Sequence, residues 1–181
     1  MWRESERLYA TLLGCFTCAL VAPTFLVPWY GIDSFWQGDF SHRYEYSLGF
    51  DEYHLLEDMS YLMSGLTVVL LMSLTASINA AILPLLGRTE SGAIVSAMSA
   101  ELLVASAIIF YIGTMQAGPL DHFFGTTQLD RSVSVDAAPM VGFWILIGAI
   151  LFQWSHVGVL TYLSRKKRKG EDPLNSLEKR P

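Results

Sequence analysis

The stretch MSYLMSGLTVVLLMSLTASINAAILPLL, residues 59–86, decides the fold. It runs for 28 residues without a charged side chain. An α-helix needs about 20 mostly apolar residues to cross the roughly 30 Å of hydrocarbon in a bilayer. The apolar character is continuous rather than alternating, which favours helix over strand. Three further runs share it. Residues 8–28 and 140–163 carry no charge, and residues 92–114 carry one, Glu101. These runs predict an all-α membrane protein, a four-transmembrane-helix bundle in one domain over residues 1–181, with spans at 8–28, 59–86, 92–114 and 140–163.

Composition agrees. Of 181 residues, 52% are hydrophobic and 16% charged, against about 25% charged in an ordinary globular domain. That balance excludes a disordered chain and argues against a soluble domain of this size. Arg3 and Arg7 precede the first apolar run as in a secretory signal, but Leu20-Val21-Ala22 is no A-x-A site and Pro23 follows it. The run is therefore expected to stay as an uncleaved span.

Basic residues set the orientation. With both termini cytoplasmic, 10 of the 12 Lys and Arg lie on the inner side, leaving Arg43 and Arg131 outside. The outer loops, 29–58 and 115–139, hold ten acids against those two bases, a formal charge of about −8 beneath the whole-chain value of −5. An acidic exterior disfavours nucleic acid. The run Arg165, Lys166, Lys167, Arg168, Lys169 is a stop-transfer signal that can attract anionic headgroups. Residues 164–181 read as a cytoplasmic tail. The expected location is the cell membrane, with the lipid bilayer as a partner.

The first outer loop is aromatic. Trp29 and Tyr30 follow the span directly, where an interfacial belt is expected. In residues 44–50, large apolar groups alternate from Tyr44 and Tyr46 onward, a strand pattern, and residues 129–135 carry a shorter echo. The two segments can pair into a small extracellular β-sheet. Phe123 and Phe124 can pack beneath it or dip into the outer leaflet. Trp29, Trp36, Tyr44, Tyr46, Phe123 and Phe124 are the candidate extracellular contacts.

Polar residues inside the spans are the candidates for function. At 1.5 Å per residue, Glu101 falls roughly 4 Å, Gln153 roughly 2 Å, His156 roughly 7 Å and Asn79 roughly 10 Å from the midplane, all on the inner side. Gln153 and His156 are three apart and share a helix face. The four are expected to meet in one intramembrane layer, with Glu101 and His156 as its natural proton-sharing pair. Such a layer serves either as an interhelical hydrogen-bond lock or as a proton or cation relay.

Other chemistry has thinner support. Cys15 and Cys18 form a C-x-x-C, but mid-span, where a thiolate is disfavoured. His54, Glu57 and Asp58 share a face if the second helix starts early, and imidazole with carboxylate can bind Zn²⁺ or Mn²⁺. An acidic helix N-terminus explains the same residues without a metal. His156 has no second intramembrane histidine as a haem partner. No G-x-S-x-G, H-E-x-x-H, P-loop or dinucleotide motif is present. No enzyme activity and no cofactor are expected.

In topology the chain resembles the claudin and peripheral-myelin-protein group of four-span proteins, with inner termini, a larger first outer loop and strand-like segments in both loops. Pro28-Trp29 resembles that group's junction after the first span, and Trp36 resembles its first-loop tryptophan; the two first-loop cysteines of animal claudins are absent. The resemblance implies a helix bundle capped by a small sheet and engaged in lateral or cell-to-cell contacts. The expected role is a structural, scaffolding or accessory subunit that binds other membrane proteins or copies of itself. A proton- or cation-coupled transporter or channel subunit using Glu101 and His156 is the alternative, and a redox or metal-binding subunit the third.

Overall fold

The computed structural model describes residues 2–48, 57–117, 123–130 and 133–171. Four helices form, α1 (Trp2–Val21), α2 (Glu57–Ile82), α3 (Thr89–Ala117) and α4 (Val141–Glu171). Each is long and apolar enough to cross a membrane. They close a ring in which every helix packs on its neighbours in sequence and α4 returns to α1.

Helix ends shift from the predicted spans for local reasons. A 3-10 turn (Ala22–Phe25) succeeds α1 at the proline Pro23. Pro84 ends α2 at Ile82, four residues before the apolar run does. The chain then turns through Gly87, whose φ of 75° few side chains tolerate, and Arg88 N–H bonds Leu83 O at 3.0 Å. At the far end α4 continues through the basic run to Glu171, so the first eight residues of the predicted tail are helical. Lys and Arg are good helix formers and are favoured at a helix C-terminus.

The loops hold more strand than the alternation predicts. β1 (Pro28–Trp36) and β2 (Asp39–Ser47) form one hairpin, and β3 (Gly125–Asp130) and β4 (Val133–Pro139) another. β1 pairs antiparallel with β4, giving one four-stranded sheet in the order β2-β1-β4-β3. The predicted strand at 44–50 captures only the end of β2, and the segment at 129–135 takes in the end of β3 and the start of β4 rather than forming one strand. The loops therefore join through β1 and β4, and β1 is a strand whose sequence does not alternate cleanly. Gln37 and Gly38, at φ 53° and 92°, make the two-residue β1–β2 turn.

The sheet sits on one end of the bundle. Tyr30, Ile32, Tyr46, Leu48, Val135 and Ala137 are buried in one continuous core with Met63, Leu66, Leu70, Leu103, Phe110 and Phe143 of the helices. Phe110 is the hub, with ring centroids 5.2 Å from Trp29, 5.3 Å from Phe143, 5.8 Å from Phe123 and 6.1 Å from Tyr30.

Trp29 and Tyr30 are both fully buried rather than placed in an interfacial belt. Adjacent strand residues ordinarily face opposite ways, but the β1–β2 register slips between Pro28 and Tyr30, so Trp29 is the extra residue of a bulge. Its indole donates to Thr24 O at 2.7 Å and lies against Gly142, where a Cβ would collide with the ring.

Candidate functional site

Inside the bundle the helices meet through serines. Ser73 and Ser77 on α2 are four apart, and Ser96 and Ser99 on α3 are three apart, so each pair presents one face to the interior. All four are buried, as are Gln153 and His156 on α4. Ser99 Oγ donates to Ser73 O at 3.0 Å and lies 3.1 Å from Ser73 Oγ and 2.7 Å from Ser77 Oγ. Ser77 Oγ donates to Gln153 Oε1 at 3.5 Å, and Gln153 Nε2 donates to Ser96 O at 3.1 Å and Ser96 Oγ at 3.0 Å. Ser96 Oγ in turn lies 3.1 Å from His156 Nδ1.

Ser96 Oγ accepts the Gln153 amide and keeps a second lone pair and its own proton, so it can either donate to or accept from His156 Nδ1. Nε2 is buried without a geometrically satisfactory hydrogen bond among the described residues, though the Ala10 backbone stands on that side. The ring faces α1 at Gly14, where a Cβ would come 2.9 Å from His156 Cε1 and 2.7 Å from Ala81 Cβ. The layer thus ties α2, α3 and α4 by hydrogen bonds and seats α1 by close packing.

Of the four predicted layer residues, the structure brings Gln153 and His156 together and separates the other two. Glu101 is exposed on the outer surface of α3, and Asn79 is exposed on α2, donating to Thr75 O of its own helix at 2.9 Å. Helix phase explains both. Glu101 is two residues past Ser99, which turns it about 200° away from the interior. The imagined Glu101–His156 pair is absent, and the serines take its place. The serine spacing was a signal: apolar spans with Ser at i, i+3 and i+4 opposite a Gln-x-x-His face have polar partners ready.

The surface candidates divide as well. Trp29, Tyr46 and Phe123 belong to the core and Tyr44 packs against it, so they support the sheet rather than offer contacts. Phe124 is exposed beside the bundle. The tip of the β1–β2 hairpin is different, because every residue from Trp36 to Arg43 is exposed. Trp36 is 57% and Phe40 59% exposed, and Phe35 braces Phe40 with ring centroids 6.0 Å apart. The tip lies eight residues along β1 from Pro28, roughly 26 Å of strand at about 3.3 Å per residue. Behind it, Arg43 grips Asp33 with two bonds of 2.6 and 2.7 Å. That hydrogen-bonded guanidinium holds the Asp33 carboxyl below the usual carboxylate range.

His54 lies outside the described residues, as do the side chains of Glu57 and Asp58 at the start of α2. Among the described residues no three His, Cys, Asp or Glu side chains converge. Cys15 is exposed and Cys18 half-buried, and both are free. At the end away from the sheet, Lys166 of the basic run reaches Glu6 of α1 at 2.5 Å, tying α4 to α1; Arg165 is exposed. An apolar groove of about 550 Å³ runs beside this pair, between Tyr9 and Tyr162.

The chain matches no family model and no curated protein.

Proposed function

We propose that the four helices cross a cell membrane, with both termini on the cytoplasmic side and the sheet on the outer face. The proposed role is a non-enzymatic structural, scaffolding or accessory subunit that holds other membrane proteins through its hairpin tip. The distribution of polarity supports the embedding. Ser73, Ser77, Ser96, Ser99, Gln153 and His156 are inside, while Leu71, Met72, Ile94, Ile112, Leu151 and Trp154 are exposed on the helices. Such an inverted arrangement suits a hydrocarbon solvent and would be costly in water. Lys and Arg bias accounts for the orientation.

The observation that carries the role is the Trp36–Phe40 tip. These two aromatics flank the two-residue turn and are exposed, away from the core. Large aromatics are the residues that dominate protein interfaces when a partner buries them. The buried polar layer, by contrast, joins three helices through side chains that bond one another, which suits a lock. A claudin-like mode of lateral or cell-to-cell contact is in keeping with this arrangement.

The test is native extraction in mild detergent followed by native mass spectrometry, with the wild-type chain beside a Trp36→Ser/Phe40→Ser variant. The wild type should come out in a defined complex that the variant loses while keeping its melting temperature. A wild-type chain that is monomeric, or a complex indifferent to both substitutions, overturns the role.

A further inference from the structure

Glu101 stands near the middle of the apolar stretch Thr89–Gln116, on the outside of the bundle. It is exposed and takes part in neither of the ion pairs among the described residues, Arg43–Asp33 and Lys166–Glu6. Its neighbours on the same helix face are apolar. Ala97 and Ala105 lie one turn away on either side, and Ile94, Met98 and Ile108 are 60%, 57% and 52% exposed. On the membrane-spanning reading, on which this inference rests, the face places a carboxylate against lipid at mid-depth.

An ionised carboxylate at that depth needs a partner, and no described residue of the chain forms an ion pair with it. The interior offers none, because His156 faces Ser96 and α1. A second copy offers none either. The apolar runs 8–28, 59–86, 92–114 and 140–163 contain no Lys or Arg, and pairing α3 with itself would set carboxylate on carboxylate. A lipid headgroup sits at the interface, not the midplane. We infer that the Glu101 face of α3 is the docking site for a transmembrane helix of another protein carrying a single Lys or Arg at mid-depth. Ala97 and Ala105 let that helix approach closely enough for its cation to reach Glu101, and Ile94, Met98 and Ile108 supply the packing around the pair.

The inference is testable with model helices. The full chain, donor-labelled, is reconstituted in phosphatidylcholine vesicles with acceptor-labelled Leu/Ala single-span peptides that have either Lys or Leu at the centre. Energy transfer should report at least tenfold tighter association with the Lys peptide. Glu101→Gln should bring it down to the level of the Leu peptide. Glu101→Lys should reverse the preference toward a peptide bearing a central Glu, which guards against a simple folding defect. Equal transfer to both peptides, or a Lys preference that survives Glu101→Gln, overturns the inference. So does self-association of the chain that depends on Glu101. A chain that alkaline carbonate strips from the vesicles overturns the membrane reading itself, whereas an integral chain without Lys preference overturns this inference alone.

Discussion

Ser96 Oγ stands 3.1 Å from His156 Nδ1 while accepting the Gln153 amide at 3.0 Å, so one hydroxyl of α3 holds two side chains of α4. Interhelical hydrogen bonds among apolar helices contribute about 0.6 to 2 kcal/mol each. Ser96→Ala leaves the imidazole without this partner and should cost about 1 to 3 kcal/mol, the penalty for unsatisfied buried groups. Gln153→Leu should cost a similar amount, and the double variant less than the sum, because the two share bonds. Reversible unfolding in mixed micelles measures all three. Strict additivity would mean that the layer does not act as one network.

Gly14 is where α1 meets both neighbours. An added Cβ would lie 2.7 Å from Ala81 Cβ and 3.0 Å from Ala81 Cα, and the backbone there cannot swing aside. Gly14→Ala should therefore destabilise the bundle by about 1 to 3 kcal/mol, the cost of overpacking a filled core. Gly158→Ala on α4 meets open space and should be neutral or stabilise by up to about 1 kcal/mol, since Ala is the better helix former. Thermal melts of the two variants separate close packing from helix propensity. A Gly14→Ala variant as stable as Gly158→Ala would show that α1 is not seated at this glycine.

The sequence made the helices legible because a continuous apolar run admits few other structures. It made the polar layer half legible. Gln153 and His156 stand out by type, but which partners meet them depends on helix phase, and two residues of difference send Ser99 inward and Glu101 outward. The sheet was legible only where strand residues alternate. β1 hides because its bulge turns Trp29 and Tyr30 inward together, breaking the period-two pattern, and because Trp29 is claimed by the distant contacts Thr24, Gly142 and Phe110. The exposed tip is visible only after the turn at Gln37 and Gly38 is known to project it.

The Asp33–Arg43 pair predicts an acid-sensitive hairpin. Arg43 depresses the Asp33 carboxyl, and the two residues face each other in the β1–β2 register. A depressed carboxyl contributes stability that is full above its unfolded value, about 4, and is lost as pH falls through the lower folded value. Amide hydrogen exchange of β2 should therefore lose protection as pH drops below about 4, slowing less than the falling intrinsic rate requires. Asp33→Asn should abolish that loss. The effect is small and shrinks with added salt, as expected for a pair open to solvent. An unchanged loss in Asp33→Asn would assign it to another carboxyl.

Tyr30 predicts the opposite limb. Its ring is fully buried between the sheet and Phe110, its hydroxyl donates to Phe123 O at 3.2 Å, and burial pushes the phenol up to about 12. Burial moves Tyr46 in the same direction. A phenol raised in the folded state contributes stability that is full below its unfolded value, about 10. That contribution is lost as pH rises toward the folded value, because the unfolded chain ionises first. Stability should fall between pH 10 and 12, with tyrosinate absorbance from Tyr30 appearing only as the cap comes off the bundle. Tyr30→Phe keeps the ring packing against Phe110 and Phe123, loses the hydroxyl bond and should flatten this limb. Tyr46→Phe should flatten it further, since its hydroxyl is buried without a hydrogen-bond partner among the described residues. Tyrosinate absorbance from Tyr30 that rises near pH 10 with the sheet still protected would mean that the phenol reaches water, and the cap would then be docked less tightly than its ring contacts require.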